Sequence, residues 1–338
     1  MLEFDAWQRC ETAKHLIQWA LPETGARILD VGGHPGRMRQ YAPDYDWVLC
    51  DPLVDAPGDQ LQGGAEALPF HDGAFDFAVC LDVMEHIPEA LREAAVAEMA
   101  RVSKTGVLLT FPHNHPSVIA AEDAVRGGYE RLFEKPHPWL AEHALFELPD
   151  ASAIAAQLSE IGGHGVVFNL GAIERWMQLQ LLGLLLEDAS AIDAASQIDA
   201  LYRDELFAHD FKSPSYRKVV LHLFSAEQPL DLDMIDTPRE DESVVQCKLA
   251  EIVHAWLETG VLERRQARAL INDGAVASDD QTDYIRRMED AVRSWETSYQ
   301  TTLNELTDAY AWRNALEERW AFRAFRRLMR LMSKKIAD

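Results

Sequence analysis

Ile28-Leu29-Asp30-Val31-Gly32-Gly33-His34-Pro35-Gly36 is an apolar run that ends on an acid and breaks directly into glycines. Glycines turn the chain sharply and let backbone approach a ligand with no Cβ in the way, and a following helix start offers unsatisfied N–H groups. The stretch therefore reads as a buried strand leading into a cofactor shelf. A dinucleotide fingerprint G-x-G-x-x-G would need glycine at 34 and 37, where His34 and Arg37 stand, so nicotinamide binding is disfavoured. Asp51 lies 21 residues beyond Asp30, at the end of the next apolar run Trp47-Val48-Leu49-Cys50. An acid placed there accepts both hydrogen bonds from the hydroxyls of a ribose.

Outward from this core, short apolar runs alternate with helical stretches. Strands are expected near 27–31, 46–50, 75–81, 106–111, 165–169 and 217–224, and helices near 5–20, 36–41, 88–101, 151–161 and 172–210, the last broken around Asp188–Ser196. Such alternation is the mark of an α/β open sheet with helices on both faces. The loop-like, acidic stretch after Ser225 divides the chain into a domain at 1–226, a linker at 227–243 and a helical extension at 244–338.

Residues 63–88, GGAEALPFHDGAFDFAVCLDVMEHIP, narrow the reading. With the glycine loop they resemble the class I S-adenosylmethionine-dependent methyltransferases of the UbiE-like, type 11 family. The resemblance covers roughly residues 25–112, and more loosely extends to 226. It implies a Rossmann-like sheet and S-adenosyl-L-methionine as cofactor. On this resemblance Asp30, Gly32, Gly33 and Gly36 border the methionine part, Asp51 holds the ribose, Ala65 and Glu66 flank adenine, and Leu81 and Asp82 lie beside the sulfonium. Two positions depart from the family pattern: His34 replaces a usual glycine, and Gly64 stands where an adenine-contacting acid is common.

Methyl transfer needs in-line approach of a nucleophile, with a base where that nucleophile must lose a proton. Histidine is the usual base near neutral pH. His113, His115 and His143 are the candidates, on a loop-rich stretch that also holds His137 and is expected at the C-terminal edge of the sheet. His113 and His115 could meet His137 or His143 around a metal, but no tight pattern such as H-E-x-x-H is present, and no metal is expected. His86 reads as a structural residue capping the next helix. Tyr129, Phe133, Trp139 and Trp176 either form a stacking platform for a flat acceptor or belong to the core.

The stretch HPWLAEHALFELPD is similar to methyltransferases that occur with bacterial surface-glycan assembly enzymes. That resemblance implies O-methylation of a glycan or lipid-linked glycan. The alternatives are a soluble methyltransferase of a quinone, lipid or secondary metabolite, and a non-catalytic coiled-coil scaffold.

The formal net charge of −24 disfavours nucleic acid as a partner. The exception is 319–338, where seven Arg and Lys face Asp338 alone and interleave with Trp320, Phe322, Phe325, Leu328, Met332 and Ile336. That pattern is a basic amphipathic helix, suited to an anionic membrane surface or to the chain's own acidic body. Within 281–316, Ile285, Met288, Val292, Trp295, Tyr299, Thr302, Leu306 and Ala309 alternate spacings of three and four. They imply a coiled coil pairing copies of the chain, or a helix packed back on its own domain. Four scattered cysteines, no basic-then-apolar leader and no long apolar span predict a cytoplasmic protein, with the tail placing it at the inner face of the membrane.

Overall fold

The computed structural model describes residues 2–54, 60–186, 192–224, 242, 244–253 and 255–256. The linker, the proposed coil at 281–316 and the basic tail at 319–338 lie outside the described residues, apart from 242 at the linker's end.

The elements run α1 (Phe4–Ala20), β1 (Arg27–Val31), α2 (Met38–Tyr41), β2 (Asp46–Cys50), β3 (Gln60–Leu61), β4 (Phe75–Leu81), α3 (Glu89–Val102) and β5 (Ser103–Pro112). There follow α4 (Pro116–Phe133), α5 (Leu140–Phe146), α6 (Ala151–Ile161), β6 (His164–Ala172), α7 (Ile173–Leu185), α8 (Ile192–Leu201) and β7 (Ser215–Leu223). The seven strands form one sheet in the order β3-β2-β1-β4-β5-β7-β6. Strands β1 to β5 are parallel, and β7 enters antiparallel between β5 and β6. This is the α/β sheet that the alternation predicts, in the Rossmann-like form that the resemblance implies.

The central strands are apolar on both faces because helices cover both. Leu29, Val48, Ala78, Cys80, Val107 and Leu109 pack under α3 and α6. Their alternating neighbours Ile28, Trp47, Phe77, Val79 and Leu108 pack under α1 through Cys10, Ala13, Leu16 and Ile17. Each fully buried large aliphatic or aromatic side chain contributes about 1.5–3 kcal/mol. A third cluster joins α4, α7 and α8 through Val125, Leu179, Leu182 and Ile198, and also takes in Val245 and Leu249.

The chain from 113 to 146 is mostly helical, which corrects the loop-rich reading. His115 accepts from Ser117 N at 3.3 Å as the N-cap of α4, and Pro116 occupies its first turn, where a missing N–H costs nothing. Gly127 and Gly128, mid-helix, disguise α4 in sequence. A Cβ at Gly128 would come 3.0 Å from Leu181 of α7, so the glycine allows the two helices to close.

In this order the chain leaves β1 for β2 and β3 on one side and returns to β4 and β5 on the other. The crevice beyond the C-terminal ends of β1 and β4 is the switch point where open α/β sheets bind ligands.

Candidate active site

At the end of β1, Asp30 is buried and its Oδ1 has no hydrogen-bond partner among the described residues. Burial first, then the charge of Asp51, pushes its carboxyl up to about 7. Gly33 lies directly over it, and a Cβ there would overlap the carboxylate. Gly32, at φ 73°, has its Cβ position blocked by Val83, and Gly36, at φ 87°, closes the loop by donating to Gly33 O at 2.6 Å. These glycines are needed for close approach and for left-handed backbone.

Asp51 directly follows β2 and is buried. Oδ1 accepts from Leu53 N at 2.7 Å and Oδ2 from His34 N at 3.2 Å. An ionised carboxylate has about four acceptor positions, so two remain for a ligand. His34 contributes a backbone N–H that any non-proline residue could supply, while its own surface is exposed; the departure at that position leaves the shelf intact. The Glu66 carboxylate bends over Gly64, within 2.5 Å of where a Cβ would stand. An acid thus reaches the region of residue 64 from two positions along, and Ala65 is buried beside it.

Leu81 closes β4, and Asp82 follows it at φ 54°. The Asp82 carboxylate holds a buried ionic network. Arg217 Nε donates to Oδ1 at 2.9 Å and to Oδ2 at 2.7 Å, Arg9 to Oδ2 at 3.0 Å and Thr110 Oγ1 to Oδ1 at 3.0 Å. Burial alone would raise this carboxyl, but Arg217 and Arg9 hold it far below the usual carboxylate range. Arg217, only 1% exposed, also donates to Asp5 at 2.8 and 2.9 Å and to Gln8 at 3.0 Å. The first turns of α1 therefore wall the crevice. Nothing in the sequence reading had assigned Asp5, Gln8, Arg9 or Arg217 to the site; the one signal was an arginine inside the apolar run of β7.

The histidines separate. His113 Nε2 donates to Ser215 O at 3.3 Å, and burial, then Lys218, brings it down to about 4, so it is neutral at pH 7. His115, 5.6 Å from it ring to ring, caps α4, while His137 Nδ1 accepts from Trp139 N and Leu140 N at the start of α5. His143 is buried and faces His86, with their Nε2 atoms 3.3 Å apart. His86 does not cap α3, whose N-cap is Pro88; its Nδ1 meets Glu142 Oε2 at 2.8 Å. His143 Nδ1 meets Glu122 Oε1 at 2.8 Å, and Tyr216 OH donates to that same oxygen at 2.8 Å. Glu85, beside His86, is buried with Oε2 unpartnered among the described residues, and burial followed by Asp82 raises its carboxyl well above the ordinary range.

The aromatic residues form no single platform. Trp176 stacks on Tyr216 at 3.6 Å within the core, Tyr129 packs on Phe133, and Trp139, 57% exposed, lies edge-on to His86 at 5.8 Å.

Residues 29–111, which span the glycine loop, Asp51 and the end of β4, match the methyltransferase domain family model. This segment is a methyltransferase domain. An uncharacterized methyltransferase of Mycobacterium sp. (strain JLS) is 34% identical over 100 residues, 26% of this chain and 39% of the relative. Its counterpart in strain KMS is 33% identical over the same shares. The chain thus spans about two fifths of the length of the curated relatives it matches. The YcgJ protein of Bacillus subtilis matches with a TM-score of 0.38 and 16% identity, over 65% of this chain and 99% of its own. Magnesium protoporphyrin IX methyltransferase from Synechocystis PCC 6803, solved with bound SAH, gives 0.40 and 13%, over 66% and 86%. Among the described residues no helix is long and apolar enough to cross a membrane.

Proposed function

We propose that the whole protein is an S-adenosylmethionine-dependent methyltransferase. The observation that carries this reading is the pairing, across adjacent strands, of a glycine shelf over Asp30 with a buried Asp51 carboxylate that keeps acceptor positions for two ribose hydroxyls. The methyltransferase domain match over the same residues supports it. Bound there, the cofactor supplies an electrophilic methyl group on a sulfonium. The chain's own work is to orient an acceptor in line at about 3–3.5 Å and to accept its proton where needed. Of the three histidines expected to do so, His143 is the one backed by a buried carboxylate, and His86 joins it.

The acceptor we propose is a hydroxyl of a glycan or lipid-linked glycan at the cytoplasmic membrane face. Support comes from the resemblance over 137–150, from exposed Trp139 beside His86, and from the basic amphipathic pattern of 319–338, with pairing through 281–316 doubling the membrane anchors.

Calorimetry with S-adenosylmethionine tests the reading. The wild-type chain is expected to bind, and Asp51→Ala to bind about 10- to 100-fold more weakly, since a hydrogen bond to a charged group contributes about 1.5–3 kcal/mol. Absence of binding at millimolar cofactor refutes the enzyme. Flotation on anionic vesicles with and without 319–338 tests the anchor, and equal flotation excludes it.

A further inference from the structure

Two carboxylate-backed histidines point at each other just past the C-terminal end of β4. His143 Nδ1 lies 2.8 Å from Glu122 Oε1, and His86 Nδ1 lies 2.8 Å from Glu142 Oε2. With a carboxylate oxygen at hydrogen-bond distance, each Nδ1 donates the ring proton to it, which leaves each Nε2 with a lone pair. Those two Nε2 atoms are 3.3 Å apart. Two lone pairs aimed together across that gap repel unless positive charge lies between them. A shared proton would relieve the pair but would leave Glu85 Oε2 buried and, among the described residues, unpartnered.

We propose that Glu85, His86 and His143 bind a divalent transition-metal ion of the Zn²⁺ type. Zinc–imidazole bonds of about 2.0–2.1 Å at a tetrahedral angle set two nitrogens about 3.3–3.4 Å apart, the separation seen here. The donor atoms of all three residues lie within 4.8 Å of one another. Closing the widest gap takes a shift of about 1.5 Å, within reach of a carboxylate side-chain rotation. Glu122 and Glu142 form the outer ring of carboxylates that orients metal-bound imidazoles and raises their basicity. Tyr216, stacked on Trp176, fixes Glu122 in turn. Two histidines and one carboxylate favour zinc or its neighbours over Mg²⁺, which prefers oxygen donors.

Three protein ligands leave a position open, the arrangement of catalytic rather than structural zinc. A consequence resting on the methyltransferase reading is that with the metal in place His143 and His86 serve as ligands rather than bases: the open position binds the acceptor's oxygen and lowers the pKa of its hydroxyl, whose proton passes to solvent. Sequence spacing hid the site, since His143 stands 57 residues from His86.

The test uses the untagged full chain, stripped with a chelator and titrated with Co²⁺ as spectroscopic probe and with Zn²⁺ by calorimetry. Expected are one equivalent per chain, visible absorption of four- or five-coordinate Co²⁺ that Zn²⁺ abolishes, and a melting point about 5–10 °C higher at a hundredfold excess over Kd. His86→Ala and the near-isosteric Glu85→Gln should each weaken binding at least 100-fold, and Glu142→Gln about 10-fold. Circular dichroism, unchanged in every variant, verifies that they fold. Metal binding without cofactor binding would sink the methyltransferase reading and leave this one standing. Failure of both ions to bind, or binding undiminished in His86→Ala and Glu85→Gln, overturns the proposal.

Discussion

Replacing Arg217 with methionine removes the cation between Asp82 and Asp5 while keeping the volume of the side chain close to native. In the wild type that guanidinium is 1% exposed, forks onto Asp82 and also donates to Asp5 and Gln8. In the variant Arg9 remains as a cation facing both carboxylates, with Trp176 Nε1 on Asp5 and Thr110 Oγ1 on Asp82. Leaving one buried charge uncompensated costs about 3–5 kcal/mol. For a domain of this size that lowers the melting point by roughly 6–20 °C. The pH dependence gives a second, signed readout. Wild-type Asp82 is held far below its usual range, so its stabilising contribution is present above the ordinary carboxylate pKa and fades only as pH falls toward the folded value. Without Arg217, burial is opposed by Arg9 and Thr110 with less force, so the folded carboxyl rises toward its ordinary value and the stability that Asp82 contributes above the ordinary carboxylate pKa shrinks. Urea unfolding at several pH values measures both effects, and Asp82→Asn added to Arg217→Met should recover at least about 1 kcal/mol. A loss under about 1 kcal/mol with wild-type pH dependence would refute the claim that this ion network organises the crevice.

Asp30, pushed up to about 7, destabilises the free protein as it ionises, so wild-type stability should decline as pH rises from about 4 through 7; Asp30→Asn should flatten that decline in urea unfolding at pH 5.5 and 8.5. Gly33→Ala forces a Cβ onto the Asp30 carboxylate and should reduce S-adenosylmethionine binding more than tenfold by calorimetry while secondary structure by circular dichroism is retained. Of the four cysteines, Cys247 is exposed, and burial raises the thiols of Cys10 to about 12, of Cys50 to about 11 and of Cys80 well above the ordinary value. An aromatic disulfide reagent should therefore modify one thiol rapidly in the native chain and four after denaturation.

The strands, the glycine shelf and Asp51 were legible along the chain because each is a local pattern: an apolar run, residues that permit left-handed or close backbone, and an acid at a strand's end. α4 escaped the same reading because Gly127 and Gly128 resemble loop punctuation until α7 is seen packed against Gly128. The rest of the site belongs to tertiary structure alone. Arg217 meets Asp82 across 135 residues, and His86 meets Glu142 across 56, only because the strand order sets β7 beside β5 and the α4–α5 arm returns over the end of β4. Sequence by itself determined where a cofactor can lie, since that depends on backbone. Which charges and imidazoles face one another was decided by the fold, because such encounters depend on distances in space that spacing along the chain does not encode.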